Sequence, residues 1–243
     1  MLGFGKVLKR SIGDSYEYLG LMLLCSFTWL STVIICAWII RSIISANPLG
    51  VIVIAGLLAV LAISPMTAGV FYVARQIVVR DEPSAGDLFR GFVRLMPGSW
   101  ALGASQIAIT LVLLWNAWFY LSRGFPLGIL GLFVIYLLLG WGMSCLYHYP
   151  ILIEQNPGVI KILRRSFLLV LGSPAFTCEV FIAIIVLTCL CMATLFGLPL
   201  LYAGMASVLQ TRATRALLIK YEVLPPEPEP TPIPDDEWKV PDD

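Results

Sequence analysis

Long uncharged stretches alternate with short charged segments along this chain, and the alternation predicts its secondary structure. A transmembrane helix needs about 20 apolar residues to cross a hydrocarbon core of about 30 Å. Five stretches without a charged residue, of 23, 33, 28, 30 and 32 residues, lie between Glu17 and Arg41, Arg41 and Arg75, Arg94 and Arg123, Arg123 and Glu154, and Glu179 and Arg212. Each is long enough to cross a bilayer. The pattern therefore predicts an all-α, polytopic membrane protein.

The same pattern predicts where the spans begin and end. The first four are expected at about 18–40, 49–74, 99–121 and 126–151. The fifth stretch would form about 48 Å of helix at 1.5 Å per residue, which exceeds one ordinary crossing. Gly197-Leu198-Pro199 interrupts this stretch, and proline breaks or turns a helix. We therefore expect a hairpin with spans at about 174–196 and 199–218, which gives six transmembrane helices.

The distribution of basic residues predicts the orientation of these spans. Lys and Arg concentrate in the cytoplasmic connections of membrane proteins. With six crossings and a cytoplasmic N-terminus, fourteen of the sixteen basic residues lie inside, and only Arg41 and Arg123 lie outside. Five crossings would place the last four basic residues outside. Both termini are therefore expected in the cytoplasm, with Arg212 and Arg215 reaching the interface from the end of the sixth span.

Three cytoplasmic segments carry an amphipathic helical pattern. Ser84 and Asp87 form a helix-start signal before the third span, and Asn156-Pro157 begins a similar segment before the fifth. The N-terminal segment 6–18 is a weaker version. Such short basic helices lie in the membrane interface, or form docking surfaces for anionic lipid or a partner. The basic residues of the two stronger segments are Arg90, Arg94, Lys161, Arg164 and Arg165.

These segments also suggest an internal repeat. Arg10-Ser11, Arg90-Gly91 and Arg165-Ser166 occupy equivalent positions before the first, third and fifth spans. The repeating unit would be an interfacial helix followed by a transmembrane hairpin, occurring three times in tandem. Parallel repeats of this kind are related by an axis along the membrane normal.

The C-terminal segment differs in composition from the membrane domain, which we assign to residues 1–221. Residues 222–243 contain eight acidic residues, seven prolines and one lysine. Such a segment cannot bury a core and is predicted to be an extended, disordered cytoplasmic tail. Trp238 lies within its acidic end. This end is either a short docking motif or a purely solvating tail.

Four residues at membrane depth are candidates for a substrate site. Glu179 lies about six residues into the fifth span, where it either faces a cavity as a proton or cation site or lies at the headgroup level. Gln106 and Asn116 in the third span are suited to bind a substrate or to bridge helices. Pro65 should kink the second span and free a backbone carbonyl.

Composition and motifs argue against an enzyme. The chain is 59% hydrophobic and 13% charged, which excludes a soluble enzyme and a nucleic-acid-binding protein. His148 follows Ser144 by four residues and shares its helix face, as a Ser/His pair would. Neighbours four apart on one helix rarely reach attack geometry, and no third orienting group is evident. The six cysteines show no metal-ligand spacing, and no phosphate-binding loop is present, so no cofactor is expected.

One stretch resembles a known family. Ile63-Ser64-Pro65-Met66-Thr67-Ala68-Gly69-Val70-Phe71-Tyr72-Val73 is similar to the Pro-x-Thr-Ala stretch, aromatic pair and basic loop of the YesL-like family of small bacterial multi-pass membrane proteins. Leu88-Phe89-Arg90-Gly91-Phe92 resembles that family's interfacial helix before its third span. The resemblance covers roughly residues 10 to 221, without the acidic tail. It implies a bacterial inner-membrane location and a link to carbohydrate uptake, and it supplies no catalytic residues.

Two function hypotheses follow. The first is a non-enzymatic accessory or scaffold whose partners are the lipid bilayer and either a sugar permease or further copies of the chain. The second is a small secondary transporter with a site near Glu179, Gln106, Asn116 and the Pro65 kink. Substituting Glu179 with Gln distinguishes them, because a proton-coupled carrier would lose its coupling.

Overall fold

The computed structural model of the protein describes residues 4–43, 48–194 and 201–225, and the regular elements within these ranges are all helical. The all-α prediction is confirmed for this part of the chain. A π-helical turn, Ala59–Ile63, joins the third and fourth helices. The α-helices are α1 (Phe4–Glu17), α2 (Leu19–Ile43), α3 (Pro48–Leu58), α4 (Ser64–Val79), α5 (Ala85–Leu121), α6 (Leu127–Gln155), α7 (Val159–Gly172), α8 (Pro174–Ala193) and α9 (Ala203–Lys220).

Five helical segments are long and apolar enough to cross a membrane. Large apolar side chains on their outer faces are exposed, among them Trp38, Trp115 and Phe133. A soluble monomer does not expose apolar surface on this scale, so the helices are those of a multi-pass membrane protein. The segments are Leu19–Ser42, Gly50–Val79, Ala85–Leu121, Leu127–Gln155 and Pro174–Ala193, and they correspond to the first five predicted spans.

Helix α5 begins as the sequence predicts. The Ser84 hydroxyl accepts a hydrogen bond from the Gly86 N–H at 3.2 Å, and the Asp87 carboxylate accepts one from the Ser84 N–H at 2.9 Å. This is a reciprocal capping box, which satisfies two backbone donors that a helix start leaves unpaired.

The continuation of α5 differs from the prediction. We expected a separate interfacial helix and then a span from about residue 99, but one helix of 37 residues passes through Pro97. A proline removes a single helical hydrogen bond, and the buried side chains of Leu88 and Leu95 hold the first half against its neighbours. At 1.5 Å per residue the helix is about 55 Å long, so its N-terminal part extends beyond a core of about 30 Å.

The last uncharged stretch contributes to two antiparallel helices, α8 and α9, and a sixth crossing by α9 stays a prediction. Ser173, at the start of α8, shares a hydrogen bond of 2.9 Å with the Tyr221 hydroxyl at the end of α9. Thr188 lies 3.4 Å from the Tyr202 hydroxyl at the opposite end of the pair. The predicted break at Gly197-Leu198-Pro199 and the acidic tail beyond residue 225 lie outside the described residues.

Helix α9 occupies the centre of the bundle. Eleven of its 18 residues are buried, and it contacts α1, α2, α4, α6 and α8. Small residues allow these close approaches. Gly204 lies directly on Met22 of α2, and its N–H donates a hydrogen bond of 3.0 Å to the Ser26 hydroxyl. A helix surrounded in this way needs no lipid-facing apolar surface, which is why it is less apolar than the five candidate spans.

Candidate functional site around helix α9

A cavity of about 200 Å³ lies between α2, α4, α6 and α9. Apolar side chains, including Val70 and Phe71, form part of its wall. Other lining side chains carry a polar atom. The residues with a polar atom are Trp29, Thr67, Tyr149, Tyr202, Ser207 and Gln210. None of them is charged, so the cavity is suited to a small neutral molecule that forms hydrogen bonds.

Most of these polar atoms already have protein partners. The Trp29 indole N–H donates to the Thr67 hydroxyl at 3.1 Å, which joins α2 to α4. The Tyr149 hydroxyl shares a hydrogen bond of 2.9 Å with the Ser64 hydroxyl. The Gln210 side chain differs, since no group in the described part of the chain hydrogen-bonds its amide. Gln210 therefore presents one unused acceptor and two unused donors next to the cavity.

A buried ion cluster lies beyond this cavity, toward the C-terminal end of α9. The Glu154 carboxylate, on a side chain only 4% exposed, is 2.6 Å from Arg215 Nη1 and 3.4 Å from Arg75 Nε. The cluster therefore ties α6 to α9 and α4. Arg215 follows Gln210 by five residues, or about 7.5 Å along the helix.

A second buried pair joins α1 to α9. Two nitrogens of the Arg212 guanidinium, Nε and Nη2, contact Asp14 Oδ2. Burial raises the pKa of the Asp14 carboxyl, and the Arg212 guanidinium is the main influence that opposes this rise. The pair joins α1 to α9 through a carboxylate whose burial opposes its charged form.

The ion pairs correct one expectation from the sequence. Arg212 and Arg215 do not extend to an interface; their side chains are only 10% and 14% exposed. Asp14 and Glu154 hold them inside the bundle. The sequence did not predict these ion pairs, because each acid lies near the end of its helix, where charged residues are common. The sequence does contain one sign of a buried pair, because Glu154 is the only acidic residue between Arg123 and Glu179.

Gln106 belongs to a buried hydrogen-bond chain on the other side of α6. Its Nε2 lies 2.7 Å from His148 Nδ1, and His148 Nε2 lies 3.2 Å from the Ser144 hydroxyl. Ser144 donates to the Ser166 hydroxyl at 3.2 Å, and Ser166 donates to the Ile162 carbonyl at 2.8 Å. This order requires Gln106 to donate to Nδ1 and His148 to donate from Nε2. In this arrangement the Ser144 hydroxyl accepts from His148 and donates to Ser166.

The π-helical turn lies next to Pro65, the residue predicted to kink the second span. Proline has no N–H to donate to the preceding turn. In that turn the Leu61 carbonyl accepts a hydrogen bond of 3.3 Å from the Trp100 indole of α5. The geometry agrees with the expectation that Pro65 frees a carbonyl, and it shows a neighbouring helix supplying the donor.

The four residues proposed for a substrate site lie in different parts of the bundle. Asn116 donates to the Val112 carbonyl of its own helix at 2.7 Å, in a region whose neighbouring side chains are exposed. Glu179 is exposed and lines a groove of about 440 Å³ between α1, α8 and α9. Neither this groove nor the Gln210 cavity includes Gln106, Asn116 or Pro65.

The predicted basic contact residues all lie on the surface. Arg90 donates to the Asp87 carboxylate at 2.9 Å, although its side chain is 74% exposed. Arg165 contacts the Gln155 side chain, and Arg94, Lys161 and Arg164 are exposed as well. Exposed apolar residues accompany them, with Phe89 and Val93 on α5 and Ile160, Phe167 and Leu171 on α7.

The sequence similarity between α1 and α7 extends to which of their residues are buried. Residues 6–11 read KVLKRS and residues 161–166 read KILRRS. The buried residues fall at the same four registers in both helices, namely Val7, Ser11, Asp14 and Ser15 in α1 and Ile162, Ser166, Leu169 and Val170 in α7. The two helices therefore use one pattern to pack against the bundle.

Comparison of the chain with protein-family models, with curated protein sequences and with solved structures finds no significant match. The resemblance to the YesL-like family therefore stays a prediction, and function is argued from the geometry.

Proposed function

We propose that this chain is a non-enzymatic accessory or scaffold of the bacterial inner membrane, and that it binds a membrane transporter such as a sugar permease. The observation that carries the proposal is the surface formed by α7 and the projecting start of α5. There, basic residues lie beside exposed apolar ones. We call Arg90, Arg94, Lys161, Arg164 and Arg165 the basic face.

The proposed topology has six crossings with both termini in the cytoplasm. Antiparallel packing of α8 and α9 supports it, because a return helix beside a membrane-crossing helix brings the chain back to the starting side. Helix α9 has 18 residues, about 27 Å, which is close to the thickness of the core. This topology also gathers the basic face on the cytoplasmic side.

The proposed architecture consists of three tandem units, each an interfacial helix followed by a hairpin. The matching segments 6–11 and 161–166 support equivalence of α1 and α7. The start of α5 shares part of the register, since Asp87, Gly91 and Leu95 are buried at the positions equivalent to Val7, Ser11 and Ser15. In this arrangement, α5 differs by being continuous with its span.

Mild crosslinking in native membranes, purification and mass spectrometry test the accessory role. The test variant replaces Lys161, Arg164 and Arg165 with Gln together. Its control replaces Arg41 and Arg123, which the topology places on the opposite side. We expect a stoichiometric partner that the test variant loses and the control keeps. A homo-oligomer with no other protein in the wild-type preparation would contradict the accessory role.

A second candidate, a small secondary transporter, is favoured by the cavity at Gln210. Its neutral lining and the unused Gln210 amide suit a small uncharged solute. If the chain carries such a solute, Gln210→Leu should abolish uptake into proteoliposomes, whereas Asn116→Leu, outside both cavities, should leave it unchanged. Equal uptake by wild type and Gln210→Leu would exclude this cavity as the pathway.

A further inference from the structure

The groove that contains Glu179 is lined mainly by apolar side chains. Its polar lining residues are Ser11 and Ser15 on α1 and Glu179 near the start of α8. Ile182, Val186 and Leu190 continue along α8, and Met205 and Leu209 of α9 form the floor. We refer to it as the Glu179 groove. Its volume of about 440 Å³ lies within the range of small-molecule sites.

The length of the groove matches one leaflet of a bilayer. From Glu179 to Leu190 is eleven residues, or about 16 Å along α8. Half of a hydrocarbon core of about 30 Å is about 15 Å. An acyl chain that starts beside Glu179 would therefore reach the bilayer midplane at about the end of the groove.

Glu179 has no basic partner among the residues that the structure describes. Within the described residues no basic side chain pairs with it, although the other acids near the bundle interior, Asp14 and Glu154, are each paired with arginine. Glu179 follows the first residue of α8 by five residues, about 7.5 Å. The carboxylate is exposed within a largely apolar groove, so a cationic group from outside the chain would complement its charge.

The polar lining residues of the groove offer hydrogen-bond acceptors and no donors. The Ser11 hydroxyl donates to the Val7 carbonyl at 2.9 Å, and the Ser15 hydroxyl donates to the Ser11 carbonyl at 2.8 Å. Each hydroxyl oxygen therefore has only lone pairs left for a ligand, like the Glu179 carboxylate. A primary ammonium, with three N–H donors and a positive charge, complements this set, whereas a quaternary ammonium has no N–H to donate.

We propose that the Glu179 groove binds one phospholipid with a primary-amine headgroup, such as an ethanolamine phospholipid. The ammonium donates to the Glu179 carboxylate, and one acyl chain lies along Ile182, Val186 and Leu190. This site is independent of the accessory and transporter roles proposed above. It assigns Glu179 to lipid recognition and not to coupling.

The test uses the full chain in nanodiscs that contain equal amounts of ethanolamine, choline and glycerol phospholipids. Native mass spectrometry then measures the lipids that remain bound. Because a hydrogen bond to a charged group is among the stronger ones, we expect wild type to retain the ethanolamine lipid about tenfold over the other two. Glu179→Gln keeps the shape of the side chain and should bring the three lipids to similar retention.

Two further variants keep the result interpretable. Glu82→Gln removes an exposed carboxylate between α4 and α5 and should leave the preference intact. Ala183→Phe fills the groove and should reduce bound lipid of every headgroup class. Equal retention of the three lipids by wild type, or an unchanged preference in Glu179→Gln, would overturn the proposal. So would unchanged lipid binding in an Ala183→Phe protein that is folded.

Discussion

The buried pair formed by Asp14 and Arg212 allows a direct prediction of how single substitutions change the free energy of unfolding. Both side chains are buried, and both nitrogens of the guanidinium fork point at one carboxylate oxygen. Asp14→Asn or Arg212→Leu alone leaves the remaining partner buried without its counterpart. We expect each to lower the free energy of unfolding by about 2–4 kcal/mol, because an unpaired buried charge or donor is costly. Denaturant unfolding in detergent micelles measures this loss.

The double variant, Asp14→Asn with Arg212→Leu, separates the net stabilisation by the pair from the cost of leaving one buried partner alone. Removing both groups should recover most of the loss, since the raised pKa of Asp14 indicates that its desolvation is not fully compensated. Glu17→Gln, exposed on the same helix, is the matched control and should change stability by less than about 0.5 kcal/mol. Losses that simply add in the double variant would show that the two residues act separately.

Among the helices, the contact of α4 with α5 depends on a missing side chain. A Cβ added at Gly69 would lie 2.8 Å from the Leu88 carbonyl oxygen, which is backbone and cannot rotate away. Gly69→Ala should therefore separate the two helices and lower the free energy of unfolding by about 1–3 kcal/mol. Gly142→Ala in α6 meets nothing within 4 Å and should be neutral or stabilising. If both variants unfold alike, backbone contact does not set this helix spacing.

Helix positions were predictable from sequence to the extent that charge marks them. Charged residues lie near both ends of α2 and α6, so these ends fall near their expected positions. The continuity of α5 was not predictable, because Pro97 suggests a break and only packing against α4 keeps the two halves together. The central position of α9 was also not predictable. Its small and polar residues look like those of a weakly apolar span, but in the structure they are buried against the neighbouring helices.

The candidate sites were less predictable, because they depend on which helices meet. Glu179 was recognised from its depth, but its groove exists only where α1 crosses α8. Gln210 drew no attention in the sequence, as an amide close to several charged residues is ordinary. Gln106 and His148 were each singled out, yet their 2.7 Å hydrogen bond links positions 42 residues apart. Spacing along one helix reveals a shared face but not the partner across it.

For the molecule as a whole, the decisive question is whether α9 carries the chain back across the membrane. Its first residues meet the end of α8 and its last residues meet the start of α8, so the two ends of the pair are about one core thickness apart. The basic residues Arg212, Arg215 and Lys220 cluster toward the last turns of α9, which favours a cytoplasmic end. We therefore expect the C-terminus and the N-terminus on the same side.

Reporter fusions measure this directly. A reporter that is active only in the cytoplasm should work when fused after Tyr221 and fail when fused after Thr194, and a reporter active only outside should give the reverse. Fusions after Arg80 and Arg123 calibrate the two sides, because the first follows α4 and the second lies in the turn between α5 and α6. Activity on the same side after Thr194 and after Tyr221 would mean five crossings. Helix α9 would then have to leave its position along α8, which would break the contacts of Tyr221 with Ser173 and of Tyr202 with Thr188.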